Sequence, residues 1–62
     1  MRQRRGGKYF YVYMRSDGDR FKIETAYDFR HGLDDARYEL GNYYIEYEDA
    51  GRAIERMKEA LA

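Results

Sequence analysis

Apolar and polar positions alternate strictly over residues 8–15. Phe10, Val12 and Met14 share one face, and Tyr9, Tyr11 and Tyr13 share the other. A period of two is that of a strand, whose successive side chains point to opposite faces. Residues 20–27 repeat the pattern, with Phe21, Ile23 and Thr25 alternating with Arg20, Lys22 and Glu24. Between the two runs lies Asp17-Gly18, a pair that accepts the positive φ angles of a type I′ turn and so predicts a hairpin. A two-residue loop there fixes the register. Met14 faces Phe21, Val12 faces Ile23 and Phe10 faces Thr25, while Tyr13 faces Lys22, Tyr11 faces Glu24 and Tyr9 faces Ala26. A slip of one residue would scramble both faces.

The period changes in the last third. Ala50, Ala53, Ile54, Met57 and Leu61 stand at i, i+3, i+4, i+7 and i+11, which is one face of an α-helix. The helix is predicted over residues 46–62. Glu46, Glu48 and Asp49 begin it and Arg56 and Lys58 lie toward its end, the charge order that the helix dipole favours. Two positions weaken it. Glu46 is not a preferred cap, and Gly51 costs about 1 kcal/mol against alanine; it either lies on neutral surface or lets another backbone approach. The helix stripe and the Phe10/Val12/Met14/Phe21/Ile23 face predict one core, completed by Ile54, Met57 and Leu61. The fold class is therefore α+β: a small antiparallel hairpin or three-stranded sheet packed on one C-terminal helix.

Residues 28–45 carry no single period. His31-Gly32 and Asp34-Asp35 are loop signals. Residues 33–40 fit a short helical turn with Asp34 as its cap, and Tyr38 and Leu40 fit equally the start of a third strand. Gly41-Asn42 marks a tight turn or bulge, since both residues accept left-handed backbone. Residues 43–45 read as a short extended piece closing one end of the core.

Composition adds a constraint. At 62 residues the chain is one domain, close to the limit below which folding alone is difficult. It has no cysteine and one histidine, so neither a disulfide nor a structural zinc site can staple it. A partner subunit is the natural source of extra stability, and a homodimer is expected. Eight of the residues are tyrosine, which suits both strands and interfaces. The net charge is zero but unevenly spread. Arg2, Arg4, Arg5 and Lys8 gather at the start, and residues 28–49 hold seven acids against Arg30 and Arg37. Residues 1–7, ending in Gly6-Gly7, read as a disordered basic tail, and residues 8–62 as the folded domain. No apolar run reaches the length of a membrane span, and the basic start is not followed by an apolar stretch as in a signal peptide. A cytoplasmic address is expected.

Candidate chemistry is sparse. His31 beside Asp28, Asp34 and Asp35 is the one constellation with an acid–base flavour, and a surface loop histidine is the better reading. Asp17-Gly18-Asp19 opens like a calcium loop but lacks the later ligands and the closing glutamate. No cofactor or metal is expected, and an enzyme is not the expected class. What remains is the sheet face away from the helix. It is expected to expose Tyr9, Tyr11 and Tyr13, flanked by Arg15, Arg20, Lys22 and Glu24. In the plainest reading, Tyr11 and Tyr13 are covered by the stems of their cross-strand partners Glu24 and Lys22. The favoured reading makes this face an interface with a protein. The alternative is a single-strand or RNA-binding surface on which bases stack, which the acidic remainder of the chain disfavours.

The run Arg37-Tyr38-Glu39-Leu40-Gly41-Asn42-Tyr43-Tyr44, followed by Glu48-Asp49-Ala50 and then Ala53-Ile54-Glu55-Arg56-Met57-Lys58, resembles the ending of short uncharacterised bacteriophage and prophage proteins. That ending has an Arg-Tyr-Glu-X-Gly-Asn stretch before a C-terminal helix, and the resemblance covers roughly residues 8–58. Glu46 and Gly51 depart from it, standing where a Thr or Ser cap and a charged residue are usual. The resemblance implies a viral accessory protein that binds and modulates a host protein, for instance as an inhibitor. It also implies structural roles: Asn42 fixing the chain by local hydrogen bonds, Arg37 paired with Glu39 or Asp49, and Tyr44 packed beside Ala50 and Ala53.

Overall fold

The computed structural model describes residues 1–15 and 20–61, Leu61 by its backbone alone. Strand β1 (Lys8–Met14) and strand β2 (Phe21–Tyr27) form a two-stranded antiparallel sheet. Their pairing, from Lys8 opposite Tyr27 to Met14 opposite Phe21, is the register that the alternation requires. The Asp17-Gly18 turn lies outside the described residues. Helix α1 (Gly32–Glu39) and helix α2 (Tyr47–Leu61) complete an α+β domain.

α2 covers the Phe10/Val12 face. Ala50 and Ala53 are buried, and their small side chains let the helix lie close to the strands, with Val12 buried beneath. Ile54 and Met57, on the same stripe, are half-buried, as are Phe10, Phe21 and Ile23. The ring of Phe10 meets that of Tyr47 edge-on, with centroids 5.6 Å apart. Met14 departs from the expected core at 49 % exposed. The side chain of Leu61, also expected there, lies outside the described residues. Gly51 is half-buried, and a Cβ added to it would meet nothing within 4 Å, so among the described residues no backbone beyond its own helix uses the space.

Residues 28–45 resolve into a helix and a bridge. α1 occupies the segment left open between helix and strand. Its N-cap is His31, not Asp34; Asp34 is the third helical residue and its carboxylate reaches back to the His31 backbone N–H at 3.2 Å. Gly41 takes φ +79° just past the helix, the left-handed position that glycine fills without cost. The chain then runs beside the free edge of β1. Tyr44 exchanges two backbone hydrogen bonds with Phe10, at 2.7 and 2.8 Å. Asn42 does the same for Val12 with its side chain: its carboxamide oxygen accepts from Val12 N–H and its nitrogen donates to Val12 C=O, both at 2.8 Å. A side-chain amide thus extends the ladder by one rung. Its bonds span 30 residues and are not the local ones expected. The edge of β1, otherwise open to pairing with another chain, is closed by these two residues.

The basic N-terminal segment lies against the body. Residues 4–7 make a turn closed by Gly7 N–H donating to Arg4 C=O at 2.9 Å, with Gly6 at φ +85°, the geometry of a type II turn with glycine at its third position. The turn folds the arm onto the end of β2. Gly6 N–H donates to Asp28 C=O at 2.6 Å, and Asp28 N–H to Gly7 C=O at 2.9 Å. The twin glycines bend the arm back onto the body.

Candidate functional site

The tyrosine face is not open. Tyr9 is 0 % exposed and is the largest fully buried apolar side chain among the described residues. It lies between the sheet and a layer made of α1, the arm and Tyr43. Its ring stacks on Tyr43, with centroids 4.1 Å apart and 12° between planes. Its hydroxyl donates to Asp34 Oδ1 at 2.6 Å and accepts from Arg37 Nη1 at 2.9 Å. The guanidinium of Arg37 lies 3.8 Å over the ring of Tyr11, a cation–π contact, so Tyr11 is half-buried. Only Tyr13, at 41 %, keeps much surface. Arg15, Arg20, Lys22 and Glu24 are exposed as expected. The proposed interface is therefore divided: its Tyr13 end with the four charged residues is accessible, and its Tyr9 end is core. The expected pairing of Arg37 with Glu39 or Asp49 is replaced by Tyr9, Tyr11 and a 3.7 Å approach to Asp34.

Two buried aspartates organise this layer. Asp28 follows β2 and is fully buried. Its carboxylate takes Arg2 as a fork, with Nε at 2.8 Å and Nη2 at 3.2 Å. It also accepts from Arg30 Nη1 at 2.6 Å, Arg30 N–H at 3.1 Å and Tyr43 Oη at 2.6 Å. Arg30 sits at φ +61°, a left-handed conformation costing roughly 1–2 kcal/mol in a non-glycine residue. Both of its hydrogen bonds to Asp28 offset that cost, the backbone one in the manner of an Asx turn. Asp34 accepts from Tyr9, from Phe29 N–H at 3.0 Å and from His31 N–H. Every buried side-chain polar atom among the described residues has a partner, which is what makes two carboxylates tolerable here.

The charge states follow. The Arg2 hydrogen bonds, with those from Tyr43 and the Arg30 backbone, outweigh burial and hold the Asp28 carboxyl well below the usual carboxylate range. Burial pushes Asp34 up, but its bonds from Tyr9 and the Phe29 and His31 amides prevail and leave it lowered. The phenols of Tyr9 and Tyr43 are raised, first by burial and then by the carboxylates they donate to. The sign of the linkage is opposite for the two kinds of group. Lowered carboxyls contribute stability that is present above about pH 4 and is lost as pH falls through their folded values. Raised phenols contribute stability that is present below about pH 10 and is lost as pH rises through theirs. Stability is expected to be flat from about pH 5 to 9 and to fall on both sides. Chemical denaturation across pH checks this, and a phenolate absorbance titration should show Tyr9 and Tyr43 ionising above the ordinary tyrosine range. Stability that peaks sharply near pH 7 would contradict it.

His31 is exposed, with its ring edge-on to Phe29 at 6.5 Å. Asp28 and Asp34 are bonded by structural donors, so no acid–base pair with His31 forms. Among the described residues no group of three or more His, Asp or Glu converges as metal ligands do, and no helix is long and apolar enough to cross a membrane. The Asp17-Gly18-Asp19 stretch lies outside the described residues.

α1 is turned inside out. Leu33, Ala36 and Leu40 stand at i, i+3 and i+7, on one helical face, and all three are exposed, Leu33 at 67 % and Leu40 at 82 %. Asp34 and Asp35, on the other side, and Arg37, at the flank of the stripe, reach inward onto the tyrosines and the arm. Phe29, 48 % exposed, stands just ahead of the helix.

Sequence reasoning missed the buried cluster role of Arg2, Asp28, Asp34 and Tyr43, having placed the two aspartates beside His31 and Asp34 as a cap. A signal existed for the first two, because a basic arm and an acidic stretch in one short chain are natural mates. No family model matches the chain, and neither the curated proteins nor the solved structures contain one significantly similar to it.

Proposed function

We propose that the chain is a protein-interaction module: a phage-type accessory protein, cytoplasmic in the host cell, that acts as a homodimer and binds and modulates a host protein. The phage part rests on the Arg37–Tyr44 run and the helix after it. The interaction part rests chiefly on one observation, the inverted polarity of α1. A helix that spends its charged residues on the core and leaves Leu33, Ala36 and Leu40 in water has an apolar face in need of a cover. The spacing suits a second copy. Ala36 is small and lies near the middle of the stripe, so two antiparallel α1 helices can cross closely there, placing Leu33 of each copy toward Leu40 of the other. An interface of that kind is isologous. The open end of the tyrosine face, Tyr13 with Arg15, Arg20, Lys22 and Glu24, is then left for the host protein, with one aromatic anchor and a charged rim.

Sedimentation at low and high micromolar concentration tests the dimer. The mass is expected to rise to that of two chains, and Leu33→Glu/Leu40→Glu is expected to stay folded at the mass of one. A wild type that remains monomeric throughout would sink the homodimer. For the host protein, a species captured by the wild type must, once purified, bind the wild type directly and bind Tyr13→Ala about tenfold more weakly or worse. Equal binding removes Tyr13 from the interface.

A further inference from the structure

The arm is held by a cleft whose contacts are those of a peptide-recognition site. The guanidinium of Arg2 enters between two carboxylates. It forks onto buried Asp28, its Nη2 donates to Asp35 Oδ1 at 2.6 Å, and its carbon lies 5.0 Å from the centre of the Tyr38 ring. A planar, forked cation satisfies all three contacts at once, and an ammonium does not. The next residue is held through its backbone. Gln3 N–H donates to Tyr43 Oη at 3.0 Å, and Arg30 Nη2 donates to Gln3 C=O at 3.1 Å. Only the Gln3 carboxamide, donating to Lys8 C=O at 2.7 Å, reads a side chain at that position. Beyond this pair the side chains of Met1, Arg4 and Arg5 are exposed, and the arm is held again at Gly6 and Gly7, by their backbone bonds to Asp28.

We infer that the cleft formed by Asp28, Arg30, Asp35, Tyr38 and Tyr43 is a recognition site for an arginine-X dipeptide, filled in cis by Arg2-Gln3 and open in trans to an arginine-bearing segment of another polypeptide. The guanidinium is read by the two carboxylates and the ring. The main-chain N–H and C=O of the following residue are read by Tyr43 and Arg30, and every peptide presents those two groups. That main-chain reading makes the ligand a peptide and not free arginine. The arm suppresses binding in trans because it is tethered, with an effective concentration of order millimolar. The site is separate from the outer face of α1, and its test does not depend on dimerisation.

The test uses the full chain with its arm dislodged. In Arg2→Ala/Gly7→Ala the guanidinium is gone, and a Cβ at Gly7 would come within 2.8 Å of Gln3 Cβ and 3.0 Å of Arg4 O, which the turn cannot absorb unchanged. Three probes are titrated at constant ionic strength and followed through the tyrosine ring resonances: N-acetyl-Arg-Gln-methylamide, its Lys-Gln analogue, and N-acetylagmatine, which keeps the guanidinium and lacks the following N–H and C=O. The Arg-Gln probe is expected to bind saturably, about tenfold or more tighter than Lys-Gln, and to weaken by a similar factor when Asp35→Asn is added. The wild type is expected to bind it at least about tenfold more weakly than the double variant, since its own arm competes. If the double variant does not fold, Arg2→Ala alone takes its place. A folded receptor that binds no probe, or binds arginine and lysine probes alike, overturns the guanidinium site. N-acetylagmatine binding as tightly as Arg-Gln overturns the peptide assignment.

Discussion

Asp28→Ala is expected to leave the domain largely unfolded at 25 °C. The carboxylate is fully buried and is the common acceptor for Arg2, Arg30 and Tyr43. Removing one partner of a buried, hydrogen-bonded charge cluster costs about 3–5 kcal/mol. A single core in a chain this short supplies only about 3–5 kcal/mol in total, so the two quantities nearly cancel. Three consequences of the substitution add together. The arm loses its anchor, Arg30 loses the bonds that offset its left-handed backbone, and the Tyr43 hydroxyl loses the acceptor that fixes its ring against Tyr9. Asp28→Asn should cost less, because an amide keeps one acceptor oxygen, but its nitrogen would face the guanidinium donors. Arg2→Ala should cost least, because Arg30 and Tyr43 still serve the carboxylate. Thermal unfolding followed by circular dichroism, with a nitrogen–proton correlation spectrum for each variant, orders the three. A melting temperature for Asp28→Ala within a few degrees of the wild type would show that the cluster is not what holds this layer.

The second large effect is expected at Asn42. Its carboxamide is the only described partner for the outward-facing backbone groups of Val12, donor and acceptor both. In Asn42→Ala these groups lie beside a half-buried edge with nothing to bond. Unsatisfied groups cost roughly 1–3 kcal/mol each; water reaching the edge keeps the sum near the lower end, about 2–3 kcal/mol. In a domain of this size that is a fall of roughly 10–20 °C in melting temperature. Asn42→Asp separates geometry from chemistry. It retains the acceptor for Val12 N–H but sets a carboxylate oxygen against Val12 C=O, so it should be at least as damaging as alanine. Hydrogen exchange at the Val12 amide gives the local readout and should accelerate in both variants relative to Glu24, which pairs with Tyr11 across the sheet. Unchanged exchange at Val12 would mean that the rung does not protect the strand.

Much of the architecture is legible in the residue pattern, and the reasons are local. Alternation with a central Asp-Gly fixes the β1–β2 register, since a slip of one residue mixes the faces and a two-residue loop leaves no room for a slip of two. The Ala50/Ala53/Ile54/Met57 stripe fixes the side of α2 that meets the sheet. The departure at Gly41 is also local, a glycine where the backbone turns left-handed. The candidate site is less legible. Asn42 reads as a turn residue because nothing near it in sequence marks its partner, which lies 30 positions away. Asp28 reads only as a neighbour of His31, and Asp34 as a loop or cap signal, for the same reason. Their burial depends on donors brought from residues 2, 9, 30 and 43, and an isolated carboxylate gives no sign of whether such donors will arrive.

By itself, then, the sequence determined the hairpin, its register and the apolar stripe of the closing helix, because periods of two and of 3.6 are properties of neighbouring residues. Only the tertiary structure decided which way the tyrosine face and α1 would be used. A strand face of tyrosines is amphipathic in each side chain: the rings suit a core and the hydroxyls need partners. It can face water or be buried under a polar layer, and the alternation pattern is the same in both cases. Here Asp34 and Arg37 satisfy the hydroxyl of Tyr9, so α1 turns its charges inward and its leucines outward. The rule that apolar residues mark the buried side of a helix fails once the buried surface has hydroxyls of its own to satisfy.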